Sequence, residues 1–194
     1  ELSEILSRIE TILQNHKIDV IIFQDYDKGV ICKKLIEEVL LLAKDIPTVV
    51  DPKKRNFHHF KNTSLFKPNL KELREGINES FEAHETDKLK SAVEKMQEEL
   101  NCNYFFTTLS EYGVMISKKE EDGKYIHHSI PAHIRNISDV SGAGDTVISL
   151  TALCLAQNLK AEDIAAISNL AGGLVCEQVG VVPINKEKLY KELK

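Results

Sequence analysis

A glycine-rich turn with one carboxylate is the part of the sequence best suited to chemistry. Residues 139–146 read Asp-Val-Ser-Gly-Ala-Gly-Asp-Thr and precede a run of small and apolar residues that predicts a buried helix. The small residues Gly142, Ala143 and Gly144 would let an anion approach the backbone closely. The unpaired amides and the positive dipole end of the helix would then hold that anion.

Asp145 indicates more than phosphate binding at this turn. Its charge would repel a phosphate, whereas a general base beside an anion hole needs that same charge. In this interpretation Asp145 takes the proton of an attacking hydroxyl, while the neighbouring amides stabilise a transferring phosphoryl group. A simpler alternative stays open, because an acidic residue in the first turn of a helix also stabilises the helix without any catalytic role.

Composition and charge limit the class of protein. The chain has 194 residues, of which 42% are hydrophobic and 28% charged, and its formal net charge is −5. This acidic balance argues against a nucleic-acid binder, and no apolar run approaches the ~18 residues that a membrane-spanning helix needs. The four cysteines form no C-x-x-C pair, which is typical of a reduced interior. We therefore expect a cytoplasmic protein with small-molecule partners.

Strands that alternate with helices must position the turn. Short apolar runs at 18–23, 48–50 and 104–108 predict strands buried on both faces, as in a parallel sheet covered by helices. Residues 113–117 and 125–130 flank an Asp-Gly turn and predict a hairpin. Helical spacing predicts helices over 2–13, 30–43, 70–77, 88–100, 143–156 and 161–179, and from Lys186 onward. The fold class is then three-layer α/β, with a mostly parallel central sheet and an antiparallel edge hairpin.

Polar loops follow the expected strands. They lie at 25–29, 51–53, 67–72, 107–111 and 139–145. Because ligands of such sheets bind beyond the carboxyl ends of the strands, we expect these loops to converge on one site.

Several of these segments resemble the ribokinase-like (PfkB) carbohydrate kinases. Residues 139–145 are similar to the second signature of that family, and residues 67–72 to its N-x-x-E magnesium motif. Residues 107–113 resemble its T-x-x-x-x-G strand and loop at the nucleotide. The segments 169–173 and 179–180 resemble those that wall the adenine.

The resemblance implies a sugar kinase that uses ATP and Mg²⁺. It makes Asp145 the base acting on a sugar hydroxyl and the segment 142–144 the anion hole. Asn69 and Glu72 would hold the Mg²⁺ environment through water, as a strongly hydrated ion prefers, although a capped helix with an acidic first turn explains the same pair. The nucleotide contacts that the resemblance implies are Lys67, Thr108, Glu111, Gly113, Asn169, Gly172 and Gly173.

Within the family, the chain is most similar to the heptose 7-phosphate kinases of ADP-heptose synthesis. Residues 25–29 read Asp-Tyr-Asp-Lys-Gly, in place of the more usual G-S-x-P-x-G. The resemblance implies contacts to substrate or phosphate at Asp25, Lys28 and Lys53, although loop lysines are more often simply solvated. Lys67 stands where a heptose kinase has threonine and resembles the phosphofructokinase branch. Another sugar or sugar-phosphate kinase of the family therefore stays open.

The matching motifs start after the N-terminal strands of the family, which carry a Gly-Gly sugar motif and a β lid. We therefore expect residues 1–194 to be the C-terminal, nucleotide-binding portion of a sugar kinase domain, without the sugar-binding portion and lid. A non-catalytic fragment that binds nucleotide or assembles with a partner is the alternative. Without the N-terminal strands, the first strand of this chain would lie at an exposed edge of the sheet. An exposed edge strand favours pairing between chains, so a homo-oligomer is also possible.

Overall fold

The computed structural model describes residues 1–133 and 136–193, and a single six-stranded sheet runs through these parts of the chain. The strands lie side by side in chain order. The first four are parallel, and the last two add an antiparallel edge. They are β1 (Ile21–Gln24), β2 (Thr48–Asp51), β3 (Leu65–Phe66), β4 (Tyr104–Thr108), β5 (Val114–Lys119) and β6 (Tyr125–Ile130).

Helices cover both faces of this sheet, which confirms the predicted α/β fold class with its antiparallel edge hairpin. One layer contains α1 to α4, and the other contains α5 and α6 with α7 packed on α6. Their bounds are α1 (Leu2–Asn15), α2 (Lys33–Leu42), α3 (Leu70–Ile77), α4 (Thr86–Leu100), α5 (Ala143–Ala156), α6 (Ala161–Cys176) and α7 (Lys186–Glu192). Short 3₁₀ helices occupy Lys54–His59 and Ser110–Tyr112.

The middle of β2 and the whole of β3 are apolar because each face of the sheet meets a helix layer. Successive side chains of a strand point to opposite faces. Val50 and Phe66 accordingly lie in the core formed with α2, α3 and α4. Their neighbours Val49 and Leu65 lie in the core formed with α5 and α6. All four side chains are fully buried, so polar groups on these strands are confined to the strand ends.

Two element boundaries differ from the prediction for identifiable reasons. The first strand begins at Ile21 rather than at residue 18, because the Ile21 amide makes the first hydrogen bond to the neighbouring strand segment, at the Pro47 carbonyl oxygen just before β2. The helix predicted to reach residue 179 ends at Cys176, whose carbonyl oxygen accepts hydrogen bonds from the amides of Ser138 and Asp139. The hydrogen bonds to the Cys176 carbonyl oxygen join the end of α6 to residues 138–139, which lead into the glycine-rich turn.

The sequence also raises expectations about the cysteines and about the apolar character of the helices. All four cysteines are free thiols, as the absence of a C-x-x-C pair predicts. Over residues 1–133 and 136–193, none of the helices combines the length and the apolar character that crossing a bilayer requires.

Gly172 allows α5 and α6 to approach each other closely. A Cβ atom at this position would lie 2.7 Å from Cγ2 of Val147, which is much closer than carbon atoms pack. Val147 is buried in α5 and its β-branched side chain has little freedom to move away. The spacing of the two helices therefore depends on glycine at position 172.

We expect Gly172→Ala to lower the free energy of unfolding by about 1–2 kcal/mol, because overpacking outweighs the better helix propensity of alanine. Urea unfolding measures this change. The exposed helical position Ser91 provides the control, since Ser91→Ala should change stability by no more than about 0.5 kcal/mol.

A double-mutant cycle identifies the contact responsible. In a Val147→Ala background the new methyl group has room, so Gly172→Ala should then cost less than in the wild type. An equal cost in both backgrounds would contradict the proposed collision.

Candidate active site

Polar residues gather where the parallel strands end. Asp25 follows β1, Asp51 ends β2 and Lys67 follows β3. Asn69 and Thr108 form a parallel bridge that continues the sheet beyond β3 and β4. Because the four parallel strands run in the same direction, these residues share one edge of the sheet, as the loop pattern predicts.

The N-terminus of α5 lies at the same edge. A Cβ placed on Gly144 would be 4.0 Å from Oδ2 of Asp51, so the glycine-rich turn sits against the end of β2. Asp145 follows with an exposed side chain, and its Oδ1 accepts a hydrogen bond of 2.7 Å from the Tyr26 hydroxyl. This hydrogen bond and the charge of Asp145, together with desolvation and the charge of Asp51, raise the pKa of Tyr26. Tyr26 is therefore a neutral hydrogen-bond donor at physiological pH.

The glycine-rich turn leaves the start of α5 open. Gly142 occupies the N-cap position with φ of 79°, and no side chain caps the helix. A side chain at Gly142 would be strained by this φ and would also press against Val181, at 3.0 Å from Cγ1. The first amides of a helix have no intrahelical acceptor, so this N-terminus can receive an anion. The Ala143 amide donates to the Val140 carbonyl oxygen at 3.2 Å, and an anion would have to displace that bond to use it.

Asp139 holds the turn in shape. One oxygen of its carboxylate accepts the Ser141 amide and the other accepts the Gly180 amide, each at 2.9 Å. The bonds from Ser141, followed by the bond from Gly180, lower the pKa of Asp139. The ionised carboxylate thus ties the turn to the loop after α6.

A buried ion pair lies at the ends of β2 and β3. Nζ of Lys67 is 3.2 Å from Oδ2 of Asp51, and the two side chains are only 3% and 8% exposed. Gln24 donates a further hydrogen bond of 3.1 Å to the same oxygen. The ammonium group of Lys67 is thus engaged by Asp51, and its expected contact with nucleotide phosphates stays a prediction.

Asn69 and Glu72 form a capping box at the start of α3. Oδ1 of Asn69 accepts the Glu72 amide at 2.8 Å, and Oε2 of Glu72 accepts the Asn69 amide at 2.9 Å. The other carboxylate oxygen of Glu72 accepts a hydrogen bond from the Lys53 ammonium. The structural role that the sequence left open for this pair is therefore present in the fold.

Lys53 lies among several carboxylates. Partial burial lowers its pKa, but the hydrogen bond and charge of Glu72, with the charges of Asp51 and Asp25, have the larger combined effect, and the pKa is raised. Lys53 therefore stays protonated and available to an anionic ligand from its exposed side.

The other two expected substrate residues differ in their surroundings. Asp25 is buried, and its carboxylate oxygens accept hydrogen bonds from the Asp27 amide at 2.8 Å and from Nδ2 of Asn56 at 3.0 Å. Lys28 is exposed and has no hydrogen-bond or ion-pair partner in the described parts of the chain. Asp25 thus shapes the loop after β1, while Lys28 extends from it.

Two expected nucleotide residues hold the end of the hairpin. Gly113 has φ of 89°, and a Cβ there would collide with the Ile130 carbonyl oxygen, so the position requires glycine. Nδ2 of Asn169 donates to the Pro131 carbonyl oxygen at 2.9 Å and joins α6 to the end of β6. Both residues lie where the chain leaves the last strand.

The remaining expected nucleotide residues are spread over three elements. Thr108 ends β4, and Glu111 is exposed in the 3₁₀ helix that follows. Gly172 is buried between α5 and α6, and Gly173 follows it at a half-buried position of α6. Their nucleotide contacts stay predictions.

The Mg²⁺ that the resemblance implies fits this site only through water. Both carboxylate oxygens of Glu72 already accept hydrogen bonds, and Oδ1 of Asn69 does so too. In the described regions, no three His, Cys, Asp or Glu side chains are grouped as metal ligands. Ordered water between the ion and this pair is compatible with both observations.

Sequence reasoning missed four polar side chains of this region: Gln24, Tyr26, Asn56 and Asp139. Tyr26 and Asp139 belong to segments that were recognised, but nothing in those segments indicates their partners. Gln24 and Asn56 carry no usable signal, because single amide side chains are common in any sequence and their partners are far away along the chain.

A profile of the pfkB family carbohydrate kinases matches residues 7–188. Among curated proteins, bifunctional protein HldE of Syntrophotalea carbinolica is 32% identical over 179 residues, which cover 91% of this chain and 35% of the relative. Bifunctional protein HldE of Campylobacter jejuni subsp. jejuni is 33% identical over 195 residues, which cover 97% of this chain and 41% of the relative. The chain thus spans well under half the length of these relatives.

Solved structures share the fold at lower identity. Phosphofructokinase-2 from Escherichia coli, in complex with substrates and products, is 20% identical with a TM-score of 0.82, and the match covers 97% of this chain and 61% of that one. Ribokinase from Arabidopsis thaliana, complexed with ribose and ATP, is 18% identical with a TM-score of 0.75, over 98% and 59% of the two chains. The described sheet and helices are therefore a ribokinase-like fold. With the family profile over nearly all of its length, the chain belongs to the pfkB family of carbohydrate kinases.

Proposed function

We propose that this chain takes part in phosphoryl transfer from ATP to a hydroxyl group of a sugar or sugar phosphate. The observation that carries the proposal is the exposed carboxylate of Asp145 at the uncapped N-terminus of α5. Family membership supports it, because a carbohydrate kinase needs a base for the acceptor hydroxyl and donors for the transferring group.

In the proposed reaction, Asp145 accepts the proton of the acceptor hydroxyl. The amides of Gly142 and Gly144 stabilise the charge on the transferring phosphoryl oxygens, at about 2.7–4 kcal/mol for each well-placed donor. The Ala143 amide joins them once its hydrogen bond to Val140 is displaced. The γ-phosphoryl group is transferred from ATP to the acceptor oxygen, and ADP leaves. Asn69 and Glu72 would hold a hydrated Mg²⁺, which when bound would supply positive charge beside the phosphates. The protein positions the reactants and provides the base.

Heptose 7-phosphate is the acceptor that we favour. The sequence resemblance of residues 25–29 and the relatives named HldE both support it. Lys28 and Lys53 flank the site with positive charges suited to the phosphate of such an acceptor. Other sugar phosphates remain acceptors to be compared in the same assay.

We further propose that residues 1–194 form the C-terminal, nucleotide-binding portion of a sugar kinase domain. Strand β1 lies at the edge of the described sheet, and the side chain of Ile22 on it is 39% exposed. An open apolar edge is normally covered by further chain. Experiments on activity therefore use the intact protein that contains this chain.

We expect Asp145→Asn in the intact protein to lower kcat at least 10²-fold, which is about the lower end of a general-base effect. The affinity for ATP should change little, because the amides of the turn remain. Steady-state kinetics with a coupled ADP-release assay measures both quantities.

Asp163→Asn is the matched control, since Asp163 is an exposed acidic residue in the first turn of α6. It removes the same favourable charge from a helix N-terminus, so it should affect stability alone. Similar small losses of kcat in both variants would assign Asp145 to helix stabilisation only.

A second prediction concerns the metal. Stabilisation of the protein by ATP, measured as the shift in Tm, should depend on Mg²⁺. Glu72→Gln should raise the Mg²⁺ concentration that half-saturates this shift, because an amide attracts the hydrated ion less strongly than a carboxylate. Glutamine can keep the capping box, so the helix start is retained.

Glu75→Gln provides the control on the same helix, since Glu75 is exposed and outside the capping box. Its Mg²⁺ requirement should equal that of the wild type. An ATP-induced Tm shift that is the same with and without Mg²⁺ would leave Asn69 and Glu72 with capping alone.

A further inference from the structure

Tyr26 contacts the carboxylate of Asp145 from a loop that is fixed on both sides. Asp25 is buried and bonded to the Asp27 amide and to Asn56. Nδ2 of Asn56 also donates to the Ile31 carbonyl oxygen at 2.9 Å, which closes the far end of the loop. Although the side chain of Tyr26 is 57% exposed, its backbone therefore has little freedom.

The residue after Tyr26 is constrained as well. Asp27 adopts a left-handed φ of 53°, a conformation that non-glycine residues rarely adopt. Its Oδ1 lies 2.7 Å from Nε of Arg55 on the neighbouring 3₁₀ helix. The network places the phenol of Tyr26 over the start of α5, which is 119 residues away in the sequence.

The hydrogen bond occupies one oxygen of a carboxylate that has two. Oδ1 of Asp145 accepts the Tyr26 hydroxyl at 2.7 Å. Oδ2 has no partner among residues 1–133 and 136–193. A carboxylate held at one oxygen has a defined orientation, and its second oxygen is free to accept a proton.

We propose that Tyr26 is a positioning residue for Asp145: its hydroxyl holds Oδ1 and directs Oδ2 toward the acceptor hydroxyl. The inference rests on the proposed function, in which Asp145 is the base. It adds that the two segments have different roles. The loop after β1 orients the carboxylate through Tyr26, and the N-terminus of α5 carries the base, Asp145.

The contact leaves the charge of Asp145 in place. The phenol of Tyr26 is a neutral donor, so it holds one carboxylate oxygen without neutralising the carboxylate, whereas a lysine would neutralise it. Removal of the phenol hydroxyl should therefore leave the carboxylate of Asp145 free to rotate.

The test compares Tyr26→Phe with Tyr125→Phe in the intact protein. Tyr125 also donates a 2.7 Å hydrogen bond to a carboxylate, that of Glu98, but it lies on the edge hairpin. We expect Tyr26→Phe to lower kcat on the order of 10-fold with little change in KM for the acceptor. The control should match the wild type in both kcat and KM.

A second measurement does not depend on turnover. The phenol of Tyr26, followed by NMR, should titrate at lower pH in Asp145→Asn than in the wild type, because Asp145 raises its pKa.

The outcomes separate the two proposals. An unchanged Tyr26 titration in Asp145→Asn would overturn the positioning role, and so would an unchanged or higher kcat in Tyr26→Phe. A higher kcat would mean that Tyr26 obstructs the base. If the Tyr26 titration shifts as expected but the wild-type protein phosphorylates no sugar, the contact is established and the proposed function fails.

Discussion

The burial of both sheet faces is the constraint on which the rest of this structure depends. Because the helix layers bury the middle of the central parallel strands, charged side chains are placed where the strands end. Asp25, Asp51 and Lys67 occupy those ends, and all three are buried. Burial of a charge is costly unless it is paired or hydrogen-bonded, and each of these groups has a partner. The fold thus places these buried polar interactions at the carboxyl ends of the parallel strands.

The Asp51–Lys67 pair shows what this edge contributes to the site. An isolated buried ion pair is weak evidence for stability, since desolvation offsets most of its Coulomb energy. Here, however, the pair joins the ends of β2 and β3 and lies beside Gly144 at the start of α5. Its geometry therefore couples the position of the glycine-rich turn to the register of the sheet. Loss of either charge would leave the other unpaired beneath the turn.

Local patterns predicted the fold and part of the site, whereas long-range contacts were out of reach. The alternation of apolar runs and helical spacing predicted the layers and the edge hairpin, and the capping of α3 by Asn69 follows from local sequence. The bond between Tyr26 and Asp145 has no such signal, because it joins distant segments. Gly172 illustrates the same limit, since its contact with Val147 depends on how two helices pack. The spacing of residues along the sequence does not indicate how closely α5 and α6 approach each other.

Four of the carboxylates near the carboxyl ends of the strands, those of Asp25, Asp51, Glu72 and Asp145, differ in their partners, and the difference indicates which of them is suited to act as a base. Asp51 is paired with Lys67, and Glu72 with Lys53, so cations hold both of these charges. Asp25 is buried, and neutral donors occupy both of its oxygens. Asp145 is exposed, meets a single neutral donor, and keeps one oxygen unoccupied within the described residues. A base needs an accessible lone pair and a charge that no cation neutralises. In this cluster the fold leaves only Asp145 with both properties, at the helix end where an anion can bind.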